Sequence, residues 1–278
     1  MILQEKYDAM IAMFQDMEQV AIAFSGGVDS ALLLKVARDA LPGDKVVAVL
    51  GTSDTYPSRE YPKAMAFAEE LGVTVEVVST EETDIIKFKE NPPDRCYFCK
   101  TELYSKVWSV AKKHNIRYII DGTNKDDLGD FRPGHRAVKE QEVRSPLKDA
   151  DMTKNEVRAM AKALNLSVWD KPALACLSSR FPYGQQIEKD ALQKVDQAEN
   201  LLIEEGFADL RVRHYDNAAR IEIGMDEIER FADAERRQRI NDGFLKMGYR
   251  QVLLDLQGYR QGSMHEVLTI TEKNSLTT

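Results

Sequence analysis

Cysteine is scarce: Cys96, Cys99 and Cys176 are the only three in 278 residues. An odd number of thiols, with no secretory leader to go with them, argues against a disulfide framework. The start, Met1-Ile2-Leu3-Gln4-Glu5-Lys6, lacks the charged-then-apolar order of a signal peptide, so a cytoplasmic protein is expected. No apolar run approaches the roughly 18 residues a spanning helix needs, so no membrane partner is expected either. Positive charge is also in deficit. Lys and Arg number 38 against 46 Asp and Glu, a net charge of −8, which weighs against a nucleic-acid partner. The chain shows neither an internal repeat nor a low-complexity segment. What remains is a sequence 43% hydrophobic and 30% charged, long enough for one large or two modest domains with a real core.

The most informative stretch is Ser25-Gly26-Gly27-Val28-Asp29-Ser30. It follows the strand-like run Val20–Phe24 and precedes the helix-like run Ala31–Ala37. A strand, a glycine loop and a helix N-terminus make an anion site, because glycines let the backbone come close and the first helical amides point at the ligand. The loop has no Lys, so it is not a GxxxxGK[ST] loop. Amides and hydroxyls, not a fixed cation, are expected to hold the phosphate. Asp29 beside that anion makes sense if Mg²⁺ lies between them. The bland alternative is a tight strand-to-helix turn.

The first part alternates strand and helix. Strands are predicted at Val20–Phe24, Lys45–Leu50, Val73–Val78 and Arg117–Ile120, and helices at Asp29–Ala40, Pro57–Leu71, Asp94–His114 and Thr153–Leu164. This order implies an α/β fold with a parallel sheet covered on both faces. Ligands then bind at the carboxyl ends of the strands. A phosphate-bearing ligand should therefore touch Ser25–Ser30 (Ser25, Gly26, Gly27, Asp29 and Ser30), Ser53 in the Gly51–Thr55 loop, and Gly122 and Asp127 in the Gly122–Asp127 loop. Residues 1–165 form the expected nucleotide domain, and 166–186, with Pro172, Pro182 and Gly184, a long functional connection. A small α+β domain follows at 187–261. Its expected helices are Ile187–Glu205 and Met225–Met247, and its strands Leu210–His214, Ala219–Ile223 and Gln251–Leu256. A polar tail occupies 262–278.

Cys96 and Cys99 lie three apart on one helical face, just after Asp94, an expected N-cap. A helix N-terminus favours the thiolate. Cys176 stands in the connection, immediately before Leu177–Gly184. Four readings are open: unconnected buried cysteines, a structural zinc with a His, a redox pair, or a [4Fe–4S] cluster on three thiolates with one iron left open. Arg180, Arg211 and Arg213, with the Ser179 hydroxyl, are candidates to clamp a phosphate, since guanidinium makes paired charge-assisted bonds. Ordinary ion pairs are the alternative. Arg95 and Lys100 flank the two neighbouring thiols.

The hexad resembles the SGGxDS signature of the PP-loop ATP pyrophosphatases, which cleave ATP between the α and β phosphates and pass AMP to a substrate oxygen. The resemblance continues in Asp121-Gly122-Thr123-Asn124, with Asp126 and Asp127, and in Arg144-Ser145-Pro146-Leu147. The whole chain is similar to the LarE family, ATP-dependent sulfur transferases that make the nickel-pincer nucleotide cofactor of lactate racemase. Ser25–Ser30, Phe131-Arg132-Pro133-Gly134, Ser178–Gly184, Arg211-Val212-Arg213 and Leu254–Arg260 carry that likeness. The resemblance implies adenylylation of a carboxylate on a pyridinium mononucleotide, followed by its conversion to a thiocarboxylate. It implies ATP and Mg²⁺, and a [4Fe–4S] cluster on Cys96, Cys99 and Cys176, as in the three-cysteine members. Catalytic turnover with sulfide or another sulfur donor is then expected rather than sacrifice of Cys176. A homo-oligomer is also expected. The rivals are a PP-loop tRNA thiolase, an ATP-dependent amidotransferase, and a nucleotide-binding regulatory module with a zinc clip.

Overall fold

The computed structural model of the chain describes residues 2–129, 132–260 and 262–269. Phe131, part of one of the motifs above, and most of the tail lie outside the described residues. Four parallel strands form the first sheet: β1 (Val20–Ala23), β2 (Val46–Thr52), β3 (Thr74–Ser79) and β4 (Ile119–Ile120), in the order β3-β2-β1-β4. The pleat sorts their side chains by parity. Val20, Ile22, Val46, Ala48, Leu50 and Ile120 join the core with Leu32 and Leu33 of the helix Val28–Ala40. Ala21, Val47, Val49 and Ile119 pack on the opposite face against Tyr104 and Val107 of the helix Arg95–Lys113. Burial on both faces explains why β1, β2 and β4 read as apolar runs, whereas β3, at the sheet edge, has no buried residue.

The topology also positions the site. β1, β2 and β3 run outward in one direction, whereas β4 pairs with β1 on its other side. The sheet order therefore reverses at β1, and the crevice for a ligand opens between the loops after β1 and β4.

Several elements are not evident in the sequence. The helix Leu3–Met17 buries Lys6, Met10, Phe14 and Met17 along one stripe. Short helices also form at Ile86–Lys89, Gly134–Glu140 and Pro146–Asp149. The expected single helix Met225–Met247 is instead two pieces. A 3₁₀ segment, Met225–Ala232, stops at Asp233, which is extended and caps the helix Ala234–Lys246. The Asp233 carboxylate accepts from the amides of Glu235 and Arg236 at 2.9 and 3.3 Å. Asp competes for backbone donors in this way, which is why it starts helices rather than continuing them.

The second sheet has the order β5-β6-β7, with β5 (Leu210–Tyr215) antiparallel to β6 (Ala218–Ile223) and β6 parallel to β7 (Gln251–Leu254). The segment 166–186 is not a slack connection. Leu177 N–H donates to Thr55 O at 2.8 Å, and Asn91 Nδ2 donates to Pro182 O at 2.7 Å. Leu177 and Phe181 share a buried cluster with Phe88 and with Leu192 and Val195 of the helix Lys189–Glu204.

Glu199 of that helix has 0% exposure. Burial alone would raise its carboxyl, but Arg180 above all, and then Arg59, hold it down at about 2. A depressed carboxyl adds stability above its unfolded value of 4.5 and loses it as pH falls through the folded one. Urea denaturation between pH 4.5 and 2 should therefore show a shallower loss of stability in Glu199→Gln than in the parent. Equal slopes would contradict this role for Glu199.

Candidate active site

The loop after β1 is shaped by its glycines. Gly26 has φ +72°, and a Cβ there would lie 2.9 Å from Ala64 Cβ. No L side chain fits without shifting the neighbouring helix Glu60–Glu70. Gly27 precedes the helix Val28–Ala40 as its N-cap, without a side chain to block the amides. The Ser30 hydroxyl closes the loop, accepting from Ser25 N–H at 3.3 Å and donating to Gly27 O at 3.1 Å.

A cavity of about 560 Å³ opens over this loop. Ser25, Gly27, Asp29 and Ser30 line it from β1, and Gly122, Asn124 and Asp127 from the loop after β4. Asn124 Nδ2 donates to Asp29 Oδ1 at 3.1 Å, joining the two loops. Asp127 accepts from Asn124 N–H at 3.0 Å. Ser53 is not brought to this cavity. It donates to Glu82 Oε1 at 2.5 Å and lines a separate polar hollow with Asp54 and Thr83.

The loop itself carries no Lys, but two lysines from elsewhere in the chain line its cavity. Lys154, at the start of the helix Lys154–Ala163, forms an ion pair with Asp29. Lys100 lines the same cavity, 3.7 Å from Asp121. Both come from distant parts of the chain, so the loop's own sequence carries no trace of them.

Cys96 and Cys99 fall in the first turns of the helix Arg95–Lys113, as expected, but the Asp94 side chain caps nothing. All three cysteines are free; Cys96 is exposed, and Cys99 and Cys176 are half-buried. Packing works against the thiolate form that the helix N-terminus favours. Loss of water around the sulfurs raises both thiols, more than Arg95 and Lys100 offset at Cys96, and Glu82 adds to the rise at Cys99. This desolvation outweighs the helix-end effect, which favours the charged form. Cys176 acts on both in the same direction, so the three sulfurs lie within electrostatic reach of one another. Among the described residues, no three His, Cys, Asp or Glu side chains stand in metal-holding geometry.

A second cavity, of about 660 Å³, is lined by Ser179, Arg180, Arg213, Arg220 and Arg260. Arg180 makes a forked pair of bonds: Nε and Nη2 donate to Glu199 at 2.8 and 2.9 Å. Arg213 makes the same fork to Glu222, at 3.0 and 2.8 Å, and donates to Ser179 O at 2.8 Å. Arg211 is not gathered into this cavity. Its guanidinium lies over the Tyr259 ring at 4.7 Å and donates to Leu210 O at 2.6 Å. Arg220 belongs to no motif in the sequence, and Arg260 is the last residue of the Leu254–Arg260 stretch. Arg220 stands opposite Arg213 in the β5–β6 register, a pairing visible only once the hairpin is drawn.

A parallel sheet with a glycine anion loop at its switch point, beside a cavity rich in carboxylates and lysines, defines an ATP-using enzyme of the PP-loop class. Residues 10–116 match the family model described as NAD synthase. The pyridinium-3,5-bisthiocarboxylic acid mononucleotide synthase of Lactiplantibacillus plantarum is 39% identical over 96% of this chain and 96% of its own. An uncharacterized protein of Synechocystis sp. is 41% identical over 96% of this chain and 100% of its own. One polypeptide of the glutamine-hydrolyzing GMP synthase of Saccharolobus solfataricus is 30% identical over 54% of this chain and 44% of its own. The chain belongs to the LarE family of PP-loop ATP-dependent sulfur transferases.

Gly26→Ala should remove ATP-dependent pyrophosphate release, because the new methyl meets Ala64 at 2.9 Å and the positive φ is lost. The rest of the fold should stay intact by circular dichroism. Pyrophosphate release at the parental rate would contradict the loop assignment.

Proposed function

We propose that the enzyme adenylylates a carboxylate of a pyridinium mononucleotide and then replaces the activated oxygen with sulfur. One observation carries this reading. A single segment of chain lines both cavities, with Cys176 between them: Pro172, Ala173 and Leu174 face the PP-loop, and Ser179 to Tyr183 face the arginine cavity. ATP would occupy the first cavity and the nucleotide phosphate the second, so the reacting carboxylate would lie beside the thiols.

In the first step a carboxylate oxygen attacks the α-phosphorus, pyrophosphate leaves, and the carboxylate becomes an acyl adenylate. The amides of Ser25–Ser30 and Lys100 would receive the negative charge that builds on the phosphates. Asp29 would hold Mg²⁺, a hard ion suited to carboxylate oxygen, with Lys154 as its counter-charge in the free enzyme. In the second step sulfide attacks the acyl carbon and AMP departs with the oxygen, leaving a thiocarboxylate. Ser179, Arg180 and Arg213 would hold the nucleotide phosphate, Arg180 and Arg213 aligned by Glu199 and Glu222. Arg211, stacked on Tyr259 and donating to Ala173 O at 3.3 Å, would instead steady the shared segment.

The thiols suit a [4Fe–4S] cluster in donor chemistry: three soft ligands in one neighbourhood, with Arg95, Lys100 and Arg132 beside Cys96 to offset negative charge. Bound by Cys96, Cys99 and Cys176, it would supply an iron without a protein ligand, open to sulfide. In this reading residues 1–165 would activate, and the connection 166–186, through Ser179 and Arg180, would hold the substrate together with Arg213 of 187–261.

Anaerobic reconstitution should load about four irons per chain, and Ala at any one of Cys96, Cys99 or Cys176 should lower that number and stop sulfur transfer. Pyrophosphate release with the mononucleotide should survive in all three variants. Iron-free protein that still forms thiocarboxylate with Cys96 and Cys99 replaced would overturn the cluster reading.

A further inference from the structure

Each carbonyl of the anion loop has a donor behind it. Ser25 O accepts from Tyr56 Oη at 3.0 Å. Gly26 O accepts from Lys171 Nζ at 2.9 Å. Gly27 O accepts from Ser30 Oγ at 3.1 Å and from Ala31 N–H at 2.9 Å. The peptide unit is planar and trans, so fixing a carbonyl fixes the N–H of the next residue on the opposite side. Holding Ser25 O and Gly26 O thus aims the amides of Gly26 and Gly27. A carbonyl that swung the other way would present its negative end to the phosphates.

We propose that Lys171 and Tyr56 are positioning residues for the ATP step, which hold two loop carbonyls back so that the loop amides face the phosphates. Neither residue lines the nucleotide cavity. Lys171 is largely enclosed, with a side-chain exposure of 15%. Its second partner is Glu60 Oε2, at 2.5 Å, on a residue only 5% exposed. Burial would push the Glu60 carboxyl up, but Lys171 and Lys63 keep it below the usual range, so the pair is ionic. The Lys171 main chain is held in turn. Arg158 donates to Trp169 O at 2.8 Å and to Lys171 O at 2.7 Å. The cation therefore reaches the loop from the same stretch of chain that carries Cys176.

This inference rests on the loop binding ATP. The test is steady-state pyrophosphate release, with ATP and the pyridinium mononucleotide varied in turn. The variants are Tyr56→Phe, Lys171→Met, Lys171→Arg and the pair Lys171→Met/Glu60→Gln. The pair removes the buried charge that Lys171→Met alone would strand, so it keeps the proposal testable if the single variant is unstable. KM for ATP should rise about tenfold in Tyr56→Phe and in the pair variant, the scale of one lost hydrogen bond, with KM for the mononucleotide unchanged. Lys171→Arg should recover most of the loss. The role of each residue stands or falls on its own variant: an ATP KM within about twofold of the parent in Tyr56→Phe, or in the pair variant, overturns it for Tyr56 or for Lys171. Absence of pyrophosphate release from the parent chain would overturn the ATP reading itself.

Discussion

The fully buried carboxylate of Glu199 is the point on which the two cavities depend. It takes a forked pair of bonds from Arg180 in the connecting segment, one from Arg59 in the first half, and one from Val212 N–H on β5. Three separate parts of the chain therefore meet on one negative charge with no access to water. A buried carboxylate left without these donors would cost several kcal/mol, so the parts are held together or the region does not form. The ion pair matters here less as a source of stability than as a constraint on arrangement. It sets Arg180, and through Arg180 the Ala175 and Cys176 carbonyls, which accept from Nη1 at 2.9 Å each.

From that constraint the site follows. The segment that Arg180 pins runs past the PP-loop at Pro172–Leu174, presents Cys176, and ends in the arginine cavity at Tyr183. Lys100 joins the same places from the other side, lining the nucleotide cavity while sitting beside the Cys96 and Cys99 thiols. Burial and the nearby Glu82 raise the Cys99 thiol, which works against its thiolate form.

Much of this is legible along the chain wherever the signal is local. The strand-loop-helix around Ser25–Ser30 combines an apolar run, two glycines and a helix start in adjacent positions, and β2, β3 and the helix Arg95–Lys113 announce themselves by periodicity. The helix Leu3–Met17 is hidden because its buried stripe includes Lys6, whose amine is satisfied by Glu156 at 2.7 Å, 150 residues away. Asp233 splits an otherwise helical run through a cap that only the folded backbone reveals. The lysines at the PP-loop arrive from positions 100, 154 and 171, so a motif confined to six residues says nothing of them. The thiols depart from expectation for a related reason: the helix end is visible in sequence, but the desolvation that overrides it is created by packing. Arg180 and Arg213 can be picked out by residue type, and what they lean on, Glu199 and Glu222, only by structure.

The central claim is that two cavities share one cysteine-bearing segment and divide ATP from substrate phosphate between them. A crystal structure with a non-hydrolysable ATP analogue and the pyridinium dicarboxylate mononucleotide bound together tests it most directly. The analogue's α-phosphate is expected at the amides of Ser25–Ser30, the nucleotide phosphate at Arg180 and Arg213, and a substrate carboxylate between them, next to Cys176. A mononucleotide phosphate found elsewhere, with the arginine cavity unliganded and the substrate carboxylate remote from Cys176, would contradict it.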